Sequence, residues 1–411
     1  MKKSCLSFSL ALLVAGGATS VFAGPVKAPI NALNTRVNTT ISGEQGNPDV
    51  APLRNGGWLV TWARGEKITS DWDVYQQRYA ASGGKVGGET QVNTTTAGDQ
   101  VHPAATMLVD GGWLVTWESD GQDGSESGVY QQRYAASGVK VDVEKRVNTT
   151  TSGSQYHPAI TALADGGWVI TWHSRPQDGS RYGVYQQRYA VSGADIGIET
   201  QVNTTTALDQ VMPAVVALAD GGWVVTWMSM EQDGSVGGIY EQRYAASGAD
   251  VGIETQVNTT TADDQNNPAI TSLADNGWVV TWDSIGQDGS GFGVYQQRYV
   301  ASGAKVGVET QVNTTTAGDQ YYPAITVLAD NGWLVTWESN GQDGRGFGVF
   351  EQRYAASGVK VGIETQVTTT NVYEGTTAVA ALADGGWVVT WHSGSDIYQQ
   401  RYDAVGNPVG G

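Results

Sequence analysis

The sequence predicts an all-β protein, a seven-bladed β-propeller with four antiparallel strands per blade, on three observations. A Gly-Trp-(Val/Leu)-(Val/Ile)-Thr-Trp phrase recurs seven times. Trp58, Trp113, Trp168, Trp223, Trp278 and Trp333 stand 55 residues apart, and Trp387 follows after 54. Such a period belongs to a supersecondary unit that buries its apolar face only by stacking on copies of itself. Each copy also holds four runs of strand character and no helical period. Finally, Val37 is in phase with Val92, Val147, Val202, Val257, Val312 and Val367, whereas the last copy runs to Gly411 without a matching segment. Residues of about 33–41 are therefore expected to complete the seventh blade, closing the ring and removing its open sheet edges.

The second copy shows how each element is read. Residues 103–109, Pro-Ala-Ala-Thr-Met-Leu-Val, are short and small, which suits the crowded centre where seven strands converge. Asp110-Gly111-Gly112 is a hairpin signal between two apolar runs. Trp113, Val115 and Trp117 then fall on one face of the second strand, with Leu114 and Thr116 on the other. A polar loop over 118–128 leads into the third strand, 129–134, and Ala-Ala-Ser-Gly turns the chain into a fourth, placed around 146–150. The Thr-rich Asn-Thr-Thr phrase suits an exposed rim. Its six sequons, Asn93 and Asn148 among them, read as strand composition.

Residues 1–23 read as a signal peptide. Lys2 and Lys3 precede an apolar run from about Leu6 to Ala18, and Val21-Phe22-Ala23 supplies a small-residue cleavage site. The run is too short and too rich in Gly and Ser for a membrane span, and no later stretch approaches one. An exported protein is expected, in the periplasm or at the surface of a Gram-negative bacterium, with residues 24–411 forming one propeller. Cys5, the single cysteine, lies inside the leader, so the remainder has no disulfide or thiolate site. Without Lys2 and Lys3, the 23 basic side chains become 21 against 41 acidic, a net of −20. That surface repels phosphate backbones and excludes nucleic acid as a partner, while admitting cations and neutral or basic ligands.

The unit Asp-Gln-x-x-Pro-Ala-x-x-x-Leu-Ala-Asp-Gly-Gly-Trp-Val-Val-Thr-Trp-x-Ser-x-x-Gln-Asp-Gly-Ser, continuing to Tyr-x-Gln-Arg-Tyr, resembles a repeat of secreted bacterial and surface proteins, often ones that also carry RTX calcium-binding tracts. The resemblance covers nearly all of residues 24–411 and implies export, surface adhesion and calcium association. The chain departs from it in lacking the Gly-Gly-x-Gly-x-Asp nonapeptide. It also lacks the Ser-x-Asp-x-Gly-x-Thr-Trp box of sialidase-like propellers.

Two loops of each blade share one face, and there the copies differ. Before the strand-opening proline stand Asn47, His102, His157, Met212, Asn267 and Tyr322, with Tyr321 beside the last. After the second tryptophan stand Ala63, Glu118, His173, Met228, Asp283, Glu338 and His392. A repeat that diverges on one face while keeping its frame is expected where that face binds. His102, Glu118, His157, His173, Asp283, Tyr321, Tyr322, Glu338 and His392 are accordingly the candidate ligand-binding residues. Drift of exposed loops would leave the same pattern. Asp123, Asp178, Asp233, Asp288 and Asp343 recur in Gln-Asp-Gly loops and are candidate Ca²⁺ ligands, although an Asp-Gly-Ser turn with side-chain-to-backbone hydrogen bonds is the commoner meaning of such a loop. Asp110, Asp165 and Asp220 read as turn residues. The seven arginines from Arg78 to Arg401 read as a structural ring paired to acidic or carbonyl groups.

With no catalytic motif, the sequence-based expectation is a non-enzymatic binding ring for a carbohydrate or surface partner. The alternatives are an assembly scaffold, or a polysaccharide hydrolase or lyase using His102, His157, His173 or His392 with Glu118 or Glu338.

Overall fold

The computed structural model describes residues 34–65, 71–342, 344, 346–368 and 374–410. The expected leader and Asp343 lie outside them. The described residues form seven antiparallel sheets: blades 1 to 6 have four strands each in sequence order, first to fourth, and blade 7 has its outer position shared by two short strands. In blade 2 the strands are Gln100–Met107, Trp113–Asp120, Ser127–Tyr134 and Lys140–Arg146. First strands of successive blades touch one another all the way round, Glu44–Pro52 against Glu374–Ala381 included, so they are innermost. Among the described residues there is no helix, and hence none long and apolar enough to cross a membrane.

The core is a set of seven slabs, each between two blades. Between blades 1 and 2, Leu53, Leu59, Val74 and Val92 meet Trp113, Val115, Trp117, Tyr130 and Tyr134. The alternation read from the second strand is therefore literal: one tryptophan face meets the preceding blade and the Leu114 face meets the next. Each indole so buried stabilises the ring by about 2–3 kcal/mol. The N–H of the first tryptophan in each blade finds an acceptor across the junction. Trp113 bonds Gln76, Trp168 Gln131, Trp223 Gln186, Trp333 Gln296 and Trp58 Gln399, all at 2.9–3.0 Å. At the remaining two junctions Trp278 and Trp387 bond the carboxyls of Glu241 and Glu351.

A second belt joins the blades near the rim. The fourth-strand glutamate of one blade accepts from the Thr-rich link of the blade before it, as Glu144 does from the Thr94 N–H at 2.6 Å and the Thr95 hydroxyl at 3.0 Å. This corrects the placement of that link. The fourth strand of blade 2 spans Lys140–Arg146, and Asn-Thr-Thr follows it. Asn93 and Asn148 are buried, each accepting a third-strand N–H and donating to a threonine carbonyl two residues on. Their amides are thus consumed by turn formation.

The arginines form the structural ring expected of them. Arg133, Arg188, Arg243, Arg298, Arg353 and Arg401 each pair with the hairpin aspartate of their own blade at 2.5–2.9 Å. Each guanidinium also lies 5.5–5.9 Å from the centre of the next blade's tryptophan ring. Asp110, Asp165 and Asp220 therefore do more than shape a turn.

The N-terminal strand does close blade 7, but it covers only half of the outer position. Thr35 and Arg36 pair with Gln399 and Tyr398. The other half comes from Pro408–Val409, opposite Tyr402 and Arg401, so the last copy does not lack its fourth strand altogether. In blade 2 the matching pairs are Tyr130 with Arg146, Gln131 with Lys145, Arg133 with Val141 and Tyr134 with Lys140, with a bulge between them. The break in blade 7 falls where the other outer strands bulge.

Candidate functional site

The innermost strand begins three residues before the expected proline, at Gln100 in blade 2. A β-bulge permits this, because an extra residue lets the strand continue across a register shift. The shift lies between Val101 and Ala104 and recurs in each blade. At every bulge one residue takes a left-handed conformation: Asn47, His102, His157, Met212, Asn267, Tyr322 and Thr376, with φ between 47° and 55°. Left-handed backbone is costly for such residues, for β-branched Thr376 most of all. Because all seven blades adopt it whatever the side chain, the strain belongs to the fold, and chemistry enters through what each blade places there.

A bulge leaves an N–H without its ladder partner, and the preceding blade supplies one. The His157 N–H donates to Glu118 (3.2 Å), that of Met212 to His173 Nδ1 (3.4 Å), that of Tyr322 to Asp283 (3.1 Å) and that of Thr376 to Glu338. Glu118, His173, Asp283 and Glu338 are therefore not exposed loop residues. They sit at the inner end of the second strand, each 6 % exposed or less. The sequence brings both series to one place but hides their burial, because a loop over 118–128 takes in the last three residues of the strand Trp113–Asp120.

Two sectors follow. In blades 2 and 3 the imidazoles of His102 and His157 lie 4.2 Å apart and those of His157 and His173 5.3 Å apart, with Tyr156 and Tyr182 around the last. Glu118 holds His102 Nδ1 at 2.9 Å. Burial lowers His157 to about 4, reinforced by neighbouring His102, and carries His173 well below the ordinary histidine range. These rings are neutral at pH 7.

In blades 5 to 7 the groups are acids. Asp283 accepts from Asn267 Nδ2 at 2.8 Å as well as from Tyr322. Burial pushes Asp283 up to about 7 and Glu338 up to about 7, and the nearby Asp283 charge adds to the second. Among the described residues Asp283 Oδ1 and Glu338 Oε2 have no hydrogen-bond partner. Tyr322, half-exposed, is within electrostatic reach of both. Tyr321 packs edge-on against Tyr322 at 5.2 Å and lies near Phe292 and Phe347. His392, in blade 7, is buried enough to fall below its usual range. It stands beside Glu338 because Gly375 lies between them: a Cβ there would be 2.8 Å from the imidazole and 3.2 Å from the carboxylate. Phe292 and Phe347 escaped sequence notice, although both occupy one position at the start of the third strand.

Four of the five candidate calcium ligands lie among the described residues, and each takes part in a turn. Asp123, Asp178, Asp233 and Asp288 each accept the N–H of the serine two residues on, at 2.9–3.0 Å. The other oxygen of Asp123 bonds Asn148, that of Asp233 Gln256 and that of Asp288 Gln311. Among the described residues no three His, Cys, Asp or Glu side chains converge to hold a metal ion.

No protein-family model matches the chain, and no curated protein does. Among solved structures it is similar to an α-L-arabinanase of Penicillium chrysogenum complexed with arabinobiose, with 15 % identity, coverage of 74 % of this chain and 94 % of that one, and a TM-score of 0.51. It is also similar to a Hadza microbial sialidase (10 % identity, 81 % and 68 % covered, TM-score 0.51) and to the NanB sialidase of Streptococcus pneumoniae (8 %, 90 % and 70 %, 0.50). At these identities the likeness is one of fold. It counts against the expectation of a non-enzymatic ring only in that these three similar structures are named as an arabinanase and two sialidases.

Proposed function

We propose that this ring is an exported, carbohydrate-active propeller that cleaves a glycosidic bond at the mouth of its central channel, with Asp283 and Glu338 as the acid–base pair. One observation carries the reading: carboxyls from successive blades, each with a spare oxygen, are held by burial at about 7. A carboxyl still protonated near neutrality can donate to the departing glycosidic oxygen, while its partner, once ionised, takes a proton from the attacking water. The aromatic cluster of Tyr321, Tyr322, Phe292 and Phe347 offers ring faces to the apolar side of a sugar. Asp283 is fully buried, so a sugar can meet it only after local rearrangement at this end of the strand. The glycosidases of similar fold support the substrate class.

The test is release of reducing ends from a panel of neutral and sialylated polysaccharides. Asp283→Asn and Glu338→Gln should each reduce turnover about 100-fold or more. Wild-type rates in both variants, or no turnover of any glycan by the native chain, overturn the reading.

A further inference from the structure

The opposite face of the ring, where the first-to-second and third-to-fourth strand turns lie, carries one break in an otherwise regular pattern. In six blades the third-strand arginine is neutralised by the hairpin aspartate of its own blade. In blade 1 the aspartate position is Asn55. Asn55 still caps its turn, accepting the Gly57 N–H at 3.0 Å, but Arg78 is left without a carboxylate among the described residues. Arg78 instead donates to the Ser137 carbonyl of blade 2 at 3.2 Å and lies over the Trp113 ring at 5.4 Å.

A cavity of about 310 Å³ opens at this place, between blades 1 and 2. Arg54 and Arg78 both line it, with Leu53, Val86, Trp113 and Ala136 as apolar walls. The Arg54 guanidinium reaches across to the Val109 carbonyl, and its charge too has no acidic partner among the described residues. The carboxylate nearest at hand, Asp110, is already committed to Arg133 at 2.6 Å. Gly138 makes room for the Arg78 head, because a Cβ there would fall 2.8 Å from the guanidinium carbon.

We propose that this cavity binds a small organic carboxylate, whose head group supplies Arg78 with the negative charge that aspartate supplies in the other six blades. A guanidinium fork matches a carboxylate in two parallel hydrogen bonds, and a second arginine adds positive charge, while Asp110 in the lining is engaged by Arg133. The volume and the apolar walls fit a body the size of one sugar ring or one small aromatic acid. The site lies on the face away from Asp283 and Glu338 and does not depend on any activity there.

Thermal unfolding of the full chain in low salt tests this, with sodium glucuronate and sodium benzoate as probes, methyl glucoside as neutral control and sulfate as inorganic anion. The carboxylates should raise Tm by about 2 °C at saturation, and the other two should not. Asn55→Asp supplies the missing carboxylate from within and is safe for folding, since six blades already carry it. This variant should start from a higher Tm and no longer respond. Arg78→Lys keeps the charge but loses the fork, and should weaken binding about 10-fold. A response that persists in Asn55→Asp, an equal response to sulfate, or no response in the native chain overturns the proposal.

Discussion

The indole N–H of Trp278 donates to the carboxyl of Glu241 at 2.9 Å across the junction between blades 4 and 5, a position held by glutamine at five of the seven junctions. Glu351 repeats the arrangement beneath Trp387. Burial raises Glu241 to about 7 and Glu351 to about 8, against an ordinary 4.5. Around Glu241 the charged or titratable neighbours are Lys305, Arg243 and Tyr299; around Glu351 they are Arg353 and Tyr402.

The folded chain therefore keeps two protons that the unfolded chain releases. The contribution of these two protons to stability should be full below about pH 4.5, be lost as the pH climbs through about 7 and 8, and be flat beyond. Glu241→Gln and Glu351→Gln should each add roughly 1–3 kcal/mol at pH 8.5 and almost nothing at pH 4. Urea unfolding at the two values measures the difference. Equal gains at both would show that ionisation is not the cause.

His157 acts in the opposite direction. Its folded value of about 4 lies below the ordinary 6.5, so the unfolded chain binds the extra proton. Stability should fall as the pH drops from 6.5 towards 4, and His157→Gln should flatten that limb. Together with the glutamates this places the stability maximum on the mildly acidic side of neutrality, which a Tm series from pH 4 to 9 would locate.

Asp283 serves two purposes that substitution can separate. Asp283→Asn still accepts the Tyr322 N–H, so it should retain stability while losing turnover. Asp283→Ala orphans that buried N–H and should cost about 1–3 kcal/mol besides. If the two variants unfold at the same denaturant concentration, the bulge N–H does not need its acceptor.

Ring closure can be tested at Val37, fully buried in the slab that joins blades 7 and 1 beside Ile397 and Trp58. Val37→Asp places an unpaired charge there and should cost 3 kcal/mol or more, whereas Ile41→Asp, at an exposed position nearby, should change little. Comparable unfolding midpoints for the two would show that the N-terminal strand does not hold the ring.

Periodicity made the blades, their order and the phase of the closing strand legible, because a 55-residue repeat and a period-two strand pattern act on the sequence directly. The two series running from Ala63 to His392 and from Asn47 to Tyr322 were legible as one face. Their burial was not, because it depends on a bulge whose left-handed residue can be Asn, His, Met, Tyr or Thr and so leaves no fixed letter. The partition of the outer strand in blade 7 was hidden for a related reason: Pro408–Val409 is only two residues long. The Asn55 exception was visible as a single letter, but its meaning required knowing that the other six aspartates bind arginine.

The divided outer strand of blade 7 has a mechanical consequence. Thr35 and Val409 stand at the two lips of one gap on the circumference, so both ends of the described ring leave from the same spot. Tension applied between them would load a handful of hydrogen bonds at that gap first and peel the clasp open, leaving six continuous spokes intact. The two ends of the described ring therefore share one anchoring point on the outer strand of blade 7.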